Sequence, residues 1–237
     1  MDNMVENKII AIIPARGGSK RIPKKNIIDF AGKPMIAWTI EAALKSNYIS
    51  RVIVSTDDKE IAEISIKYGA EVPFLREEKA DDHSPISLAT IHTLLQLEKK
   101  YGEQSQIVVQ LMANCPLRDN NDIDEAIDNF IQNEKSFQIS SFKFGWMNPW
   151  WAHEIEPSGK AKAIFSHQIR NNRSQDLPDL FCPTGAIWIA KVKELKEAQT
   201  FYGIDYCFYP MNWIKAIDID DYNDLRMALH LKKLDAK

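Results

Sequence analysis

The sequence predicts an α/β fold in which a mostly parallel sheet is flanked by helices. Residues 9–13 form an unbroken apolar run, which is typical of a strand buried on both faces of a parallel sheet. A helical stripe follows Pro34, residues 51–56 (RVIVST) are typical of a second strand, and another helical stripe lies between Asp57 and Gly69. This alternation of strand and helix is the pattern of an α/β domain.

The later sequence continues this pattern. We expect helices over residues 86–100 and from residue 122, and strands over residues 106–112, 137–142, 186–190 and 206–211, the last at a sheet edge. At the helix starts, Asp57 with Glu60 and Asp122 with Glu125 have the spacing of capping boxes.

Composition limits the classes of protein that the chain can be. Its 237 residues, 45% of them hydrophobic, suit a single domain. A formal net charge of −3 argues against a general nucleic-acid binder. We expect no membrane span, because no run of about eighteen apolar residues exists, and the N-terminus lacks a signal-peptide pattern. The scattered Cys115, Cys182 and Cys207 suit reduced thiols, so we expect a cytoplasmic protein.

The stretch after the first strand, PARGGSKRIPKKN over residues 14–26, is glycine-bearing and basic. Gly17 and Gly18 allow backbone N–H groups to approach an anion closely. A loop of this kind at the carboxyl end of the first strand is where an open α/β sheet binds a phosphorylated ligand. The sequence is neither a Walker A loop nor a GxGxxG fingerprint. It predicts a polyphosphate cradle, with an ordinary basic surface loop as the alternative.

This stretch resembles the nucleotide-binding signature of the CMP-N-acylneuraminate synthetases, cytidylyltransferases that activate nine-carbon 2-keto sugar acids. Their usual form is A/P-R-x-x-S-K-x-[IL]-x-x-K-N, and the matching positions are Arg16, Ser19, Lys20, Ile22, Lys25 and Asn26. The resemblance implies a Rossmann-like fold of the nucleotidyltransferase type over residues 1–237, CTP as a substrate, and a homodimer. The implied nucleotide site is Ala15, Arg16, Gly17, Gly18, Ser19, Lys25, Asn26 and Asp82.

A pair of carboxylates near the C-terminus predicts a metal site. In the segment AIDIDD, residues 216–221, a strand would bury Ile217 and Ile219 and project Asp218 and Asp220 together. Two such carboxylates suit a hard divalent cation that also binds phosphates and water. The resemblance implies that this pair binds Mg²⁺ and that the catalytic residues are Arg16, Lys25, Asp218 and Asp220. Helix capping is the alternative, and we assign that role to Asp221.

The predicted sugar site draws on two further resemblances. Residues 111–118, LMANCPLR, are similar to the family element L-Q-P-T-S-P-L-R beside the sugar, but Met112, Asn114 and Cys115 depart from it. We interpret Cys115 as a small pocket-lining residue, since no histidine partner is evident from spacing. The segment RSQDLP resembles R-R-Q-D-L-P and implies that Arg173, or Arg170, binds the sugar carboxylate through its guanidinium fork. The implied sugar-binding residues are Met112, Asn114, Arg170, Arg173, Gln175 and Thr184.

Residues 143–180 interrupt the strand–helix rhythm with tryptophans and turn residues, which indicates an insertion with an interface. In the family, this region is a small dimerisation subdomain that reaches over the partner's active site. The expected reaction transfers CMP from CTP to a nonulosonic acid of the N-acylneuraminate or legionaminate type. That type is favoured because residues 181–190 lack an aspartate-alanine-glycine-glutamine segment typical of pseudaminate enzymes. The alternatives are a pseudaminate or Kdo cytidylyltransferase, a nucleotide-sugar-dependent glycosyltransferase, and a nucleotide-binding protein without activity.

Overall fold

The computed structural model describes residues 8–76, 85–102, 104–165 and 173–235. In chain order the strands are β1 (Ile9–Pro14), β2 (Asp29–Phe30), β3 (Lys33–Pro34), β4 (Ile49–Ser55), β5 (Ile107–Gln110), β6 (Phe137–Lys143), β7 (His153–Ile155), β8 (Ala161–Ala163), β9 (Phe181–Lys191) and β10 (Cys207–Pro210). The α-helices are α1 (Met35–Leu44), α2 (Lys59–Lys67), α3 (Ile86–Tyr101), α4 (Asn120–Gln132), α5 (Val192–Ala198) and α6 (Tyr222–Asp235).

A six-stranded sheet in the order β10-β6-β9-β5-β1-β4 forms the centre of the molecule. β1 runs parallel to both β4 and β5, and β10 runs parallel to β6. β9 is antiparallel to its two neighbours, β5 and β6. The prediction of a mostly parallel sheet flanked by helices is therefore confirmed, and β10 lies at a sheet edge as expected.

The apolar run of β1 is explained by burial on both faces of the sheet. Ile9, Ala11 and Ile13 belong to one core cluster, and Ile10 and Ile12 belong to the cluster on the opposite face. Side chains alternate between faces along a strand, so a strand with helices on both sides must be apolar at every position.

A third core cluster fixes the two segments that carry the predicted chemistry. Ile22 of the basic loop (residues 14–26) packs in the same cluster as Ile217 and Ile219. All three are buried, which brings the loop and the C-terminal carboxylates to the same edge of the sheet.

The prediction of a strand within residues 216–221 is wrong, although the predicted alternation of buried isoleucines and more exposed aspartates is correct. The segment forms no strand and does not pair with the sheet. Instead, the Ile219 N–H donates to the Asn114 carbonyl at 2.9 Å. Burial of the two isoleucines and this hydrogen bond hold the segment in place without a ladder of hydrogen bonds.

Two predicted helix caps also differ from the structure. Asp58, not Asp57, caps α2 by accepting from the Ile61 N–H at 3.1 Å. α4 begins at a capping box formed by Asp119 and Asp122, so Asp122 is its third helical residue and not its cap. Asp221 caps α6, as assigned from the sequence, by accepting from the backbone N–H groups two and three residues later.

The region between β6 and β9 holds short elements only, among its described residues. β7 and β8 form an antiparallel hairpin, and one-turn helices span Pro149–Trp151 and Ser174–Asp176. The end of β6 pairs with the start of β9, with Lys143 opposite Phe181. The region is therefore joined to the central sheet by a two-stranded stem. Within the described part of the chain, no helix is long and apolar enough to cross a membrane.

Candidate active site

A cleft of about 880 Å³ opens at the carboxyl ends of β1 and β5. This is the edge at which open α/β sheets bind ligands. The lining comes from the basic loop, Arg76, α3 with the preceding Pro85, the segment after β5, and the C-terminal acidic segment (residues 216–221). The lining residues are Pro14, Ala15, Arg16, Ser19, Lys20, Arg21, Ile22, Lys25, Asn26, Arg76, Pro85, Ile86, Leu88, Ala89, His92, Met112, Asn114, Asp218 and Asp220.

The basic loop is fixed by hydrogen bonds along its length. The Ala15 N–H donates to the Ser55 carbonyl at 2.9 Å, and the Gly17 N–H donates to Asp57 Oδ1 at 3.0 Å. The Asn26 amide donates to the Arg16 carbonyl at 2.9 Å. Gly17 is required here, because a Cβ atom at this position would lie 2.6 Å from Asp58 Oδ2. Asp57 thus stabilises the basic loop and does not cap α2.

Asp220 is the point at which the basic loop meets the acidic segment. Lys25 Nζ contacts Asp220 Oδ1 at 2.9 Å and also donates to the Ile219 carbonyl at 3.0 Å. Arg21 Nη2 contacts Asp220 Oδ2 at 2.7 Å. Both oxygens of the carboxylate therefore accept from a cation.

Asp218 has different neighbours. Its carboxylate accepts a hydrogen bond from the neutral amide of Asn114. The side chain reaches solvent through the cleft, but the surrounding walls desolvate the charged form, and the charge of Asp220 adds to this effect. Together they raise the pKa of Asp218 to about 6. Burial also acts to raise the pKa of Asp220, but the hydrogen bond and charge of Lys25, together with Arg21, lower it overall.

Arg76 is a site residue that the sequence reasoning missed. Its side chain is 6% exposed, lies 3.9 Å from Asp57 and faces the cleft. Its Nε has no hydrogen-bond partner among the described residues, and burial lowers the pKa of the guanidinium. A buried arginine with an unused donor is a candidate for ligand recognition. The available signal was an arginine that ends the apolar segment VPFL.

The structure brings together most of the predicted site residues. The cleft is lined by Ala15, Arg16, Ser19, Lys25, Asn26, Met112, Asn114, Asp218 and Asp220. Gly17 and Gly18 lie in the loop between these residues. Asp82 and Arg170 lie outside the described residues.

Three predicted sugar-binding residues do not line this cleft. Arg173 is 75% exposed at its side chain and pairs with Asp176 at 2.9 Å, and Gln175 is also exposed. The Thr184 hydroxyl is buried and donates to the Ala216 carbonyl at 2.6 Å. Thr184 therefore ties β9 to the acidic segment.

Gly185 and Cys115 both lie close to the cleft floor. A Cβ atom on Gly185 would lie 2.7 Å from Met112 Cγ and 3.3 Å from Asp218 Oδ2, so the backbone of β9 approaches these side chains closely here. Cys115 is fully buried, and this burial raises the pKa of its thiol well above the usual value. A thiol in this state is not a nucleophile, as expected, but Cys115 does not line the cleft, so its interpretation as a pocket-lining residue is wrong.

Asp218 and Asp220 are oxygen donors of the type that Mg²⁺ prefers. Within the described ranges, no group of three or more histidine, cysteine, aspartate or glutamate side chains is placed to hold a metal. The donor set fits an ion that takes two carboxylates from the protein and its other ligands from phosphates and water, which is the usual coordination of Mg²⁺.

Comparison with known proteins agrees with this geometry. The sequence profile of the cytidylyltransferase family matches residues 10–179. The chain is also 34% identical over 229 residues to a pseudaminic acid cytidylyltransferase of Campylobacter jejuni, covering 96% of this chain and 97% of the relative. The chain belongs to the cytidylyltransferase family.

Another member of the cytidylyltransferase family, the CMP-N,N'-diacetyllegionaminic acid synthase of Legionella pneumophila, is likewise 34% identical, over 96% of this chain and 97% of the relative. Overall identity therefore does not distinguish between these two relatives. A CMP:2-keto-3-deoxy-manno-octonic acid synthetase solved with CTP has the same fold, with a TM-score of 0.68 at 16% identity over 96% of this chain and 99% of that one.

Proposed function

We propose that this cytidylyltransferase transfers CMP from CTP to the anomeric hydroxyl of a nonulosonic acid, an acidic nine-carbon keto sugar, and releases pyrophosphate. The observation that carries the proposal is the contact between Lys25 and Asp220, which joins a basic loop and an acidic segment in one cleft. A nucleotidyl transfer needs cations for the triphosphate and carboxylates for a metal at the same place. The relatives named for pseudaminic and diacetyllegionaminic acids support this sugar class.

In this proposal, the phosphates of CTP lie against the basic loop. Arg16, Lys20 and Lys25 supply positive charge, and Ser19 supplies a hydroxyl donor. The nucleoside lies toward α3, beside the unused donor of Arg76. Ala15 and Asn26 border the nucleotide, and the apolar wall facing it consists of Pro85, Ile86, Leu88 and Ala89.

Asp218 and Asp220 are the proposed protein ligands of Mg²⁺. When bound, Mg²⁺ would supply positive charge against the phosphates and would favour deprotonation of the attacking hydroxyl. The bond that forms joins the anomeric oxygen of the sugar to the α-phosphorus, and the bond that breaks releases pyrophosphate. One carboxylate of the pair accepts the proton of the hydroxyl. Lys25 and Arg16 stabilise the charge that develops on the leaving group.

Met112 and Asn114 line the cleft next to Asp218 and border the proposed sugar site. Arg173 and Gln175 lie outside the cleft of their own chain, so we assign them to the cleft of a second subunit. There the guanidinium of Arg173 would exchange Asp176 for the carboxylate of the sugar.

Exposed apolar side chains in the insertion support a homodimer. Trp146 is 84% exposed and Ile155 is 79% exposed, and Met147 and Ile164 are also largely exposed. Large apolar side chains that a single chain leaves exposed are candidates for an interaction site. We therefore propose that residues 143–180 are a dimerisation subdomain. We also place the enzyme in the cytoplasm, where its free cysteines remain reduced.

Pyrophosphate release tests the proposal. The protein is incubated with CTP and Mg²⁺, and neuraminic, legionaminic, pseudaminic and Kdo acids are supplied separately. We expect release with one nonulosonic acid and a CMP-sugar in equal amount. Release with Kdo alone would assign the chain to a different sugar class. Binding of CTP without release in any of the four assays would contradict the proposed reaction.

A further inference from the structure

The two cations on Asp220 are not equivalent. The Lys25 side chain is 17% exposed and is also anchored to the Ile219 carbonyl. Arg21 is 67% exposed and reaches Asp220 from the surface of the loop. Since an exposed ion pair contributes little free energy, Arg21 can be displaced from Asp220 at low cost.

Arg21 also stands at a variable position of the signature motif, between Lys20 and Ile22, so the motif does not account for it. Its guanidinium lines the same cleft as Arg16 and Lys20. A triphosphate in that cleft would attract Arg21, because a guanidinium binds phosphate oxygens through two parallel hydrogen bonds.

We propose that Arg21 is a positioning residue that occupies Asp220 in the nucleotide-free enzyme and opposes binding of a divalent cation until a triphosphate draws it away. This inference rests on the proposed function, because it takes Asp218 and Asp220 as the metal ligands. With both oxygens of Asp220 engaged by cations, an incoming metal ion would meet positive charge at each oxygen, and displacement of the exposed Arg21 would relieve this repulsion. Without that displacement, Asp218 is the one carboxylate of the pair that makes no contact with a cation among the described residues, and a single carboxylate is a poor site for a divalent ion.

Metal and nucleotide binding are coupled by this arrangement. A triphosphate that withdraws Arg21 opens Asp220 to the metal, and a metal on Asp220 frees Arg21 for the phosphates. Such coupling is reciprocal by thermodynamic necessity. Nucleotide and metal would therefore bind together, and the metal alone would bind weakly.

Titration with Mn²⁺, followed by electron paramagnetic resonance, tests the inference without any turnover. Nucleotide-free wild type is compared with Arg21→Gln, Arg21→Lys and the control Lys24→Gln. Lys24→Gln also removes one positive charge from the loop, but Lys24 pairs with Glu60 instead of Asp220. We expect Arg21→Gln to bind Mn²⁺ about twofold to fivefold more tightly, the range of an exposed ion pair. Arg21→Lys should stay close to wild type, and Lys24→Gln should not change.

Two further measurements separate the outcomes. Adding Asp220→Asn to Arg21→Gln should remove the gain in affinity, and saturating CTP should abolish or reverse the advantage of Arg21→Gln. Equal affinities of Arg21→Gln and wild type would overturn the inference, as would an equal gain in Lys24→Gln, which would indicate an effect of net charge alone. A protein that releases no pyrophosphate but shows the expected Mn²⁺ pattern would contradict the proposed function and leave this inference standing.

Discussion

Asp218 and Asp220 carry the same group, and their neighbours shift their pKa values in opposite directions. Burial in the cleft wall and the nearby charge of Asp220 raise the pKa of Asp218 to about 6. For Asp220, burial acts to raise the pKa, but the interactions with Lys25 and Arg21 lower it overall. Near neutral pH both groups are ionised, and on acidification Asp218 takes up a proton first.

We therefore expect kcat/KM to fall as the pH drops through about 6. A protonated Asp218 is a poor ligand for a divalent cation, while Asp220 remains ionised. The profile is measured by pyrophosphate release at two Mg²⁺ concentrations. More Mg²⁺ should move the inflection to lower pH, because the metal competes with the proton. A flat profile across this range would contradict the assignment of Asp218.

The same raised pKa predicts the opposite trend for the stability of the metal-free fold. The folded chain binds a proton at Asp218 more readily than the unfolded chain, whose carboxyl has a pKa near 3.8. The contribution of this group to the free energy of unfolding is therefore lowest above pH 6 and increases as the pH falls toward 3.8. The variant Asp218→Asn should accordingly have a higher Tm than wild type above pH 6, without metal.

Asp220→Asn should abolish Mg²⁺-dependent turnover and leave the fold intact. The amide retains an oxygen for Lys25 or Arg21 but lacks the charge that a metal requires. Turnover and Tm are measured together. Asp221→Asn is the matched control, since asparagine also caps helices and Asp221 caps α6. Near-normal turnover of Asp220→Asn would remove Asp220 from the metal site.

At the scale of elements, the helix starts show that sequence spacing is not sufficient to identify the capping residue. Asp57 and Asp58 are adjacent, and both can cap a helix. Asp58 caps α2 because Asp57 turns toward the Gly17 N–H. Which carboxylate caps depends on the contact that its neighbour makes across forty positions of sequence. Local patterns do not contain this information.

Asp119 supports both a helix and the acidic segment. It caps α4 and also accepts from Lys215 Nζ at 2.6 Å. We expect Asp119→Ala to lower the free energy of unfolding by about 1–2 kcal/mol through loss of the cap. Urea denaturation measures this change.

Asp119→Asn separates the two roles of Asp119, because asparagine is an equally good cap but carries no charge for Lys215. It should recover most of the stability. A loss in Asp119→Asn as large as that in Asp119→Ala would show that the ion pair, and not the cap, is the main contribution.

Most elements were predictable because their apolar periodicity reflects burial directly. The run in β1 and the stripe in α1 are examples. Residues 217–220 alternate like a strand, but their isoleucines are buried in a cluster with Ile22 of the basic loop and residues of α1 and α6, and not within the central sheet. Periodicity reports which side chains are buried, and it does not report which element buries them.

At the scale of the whole molecule, the order of the strands and the antiparallel direction of β9 could not be read from the sequence. Neither has a local signal, since both depend on pairing between distant segments. The basic loop and the acidic pair were predictable as parts of one site from their similarity to a family motif. Arg76 was missed because its role depends on burial within a loop.

The homodimer proposal makes a whole-molecule prediction. Arg173→Ala should raise the KM for the sugar far more than the KM for CTP. If Arg173 acts in the cleft of the other subunit, mixing Arg173→Ala with Asp220→Asn should form heterodimers with one intact site. At low sugar concentration the equal mixture should recover about a quarter of wild-type activity, after subunit exchange.

The unmixed variants and a mixture of Asp220→Asn with Asp218→Asn are the controls for this experiment. In the second mixture, each subunit carries a defect in its own cleft. No heterodimer then has an intact site, so no activity should be recovered. Equal changes in both KM values of Arg173→Ala would contradict its assignment to the sugar carboxylate. Absence of recovery in the first mixture would place Arg173 in its own cleft or outside the site.

The stem that joins the insertion to the sheet has a consequence for protein engineering. β9 begins in the stem at Phe181, and four residues later Gly185 lies against Met112 and Asp218. The insertion therefore cannot be exchanged as an independent module. A graft from a relative would move the register of β9 and, with it, the floor of the cleft. Exchanges that aim to change sugar preference should transfer β9 and the segment after β5 together with the insertion.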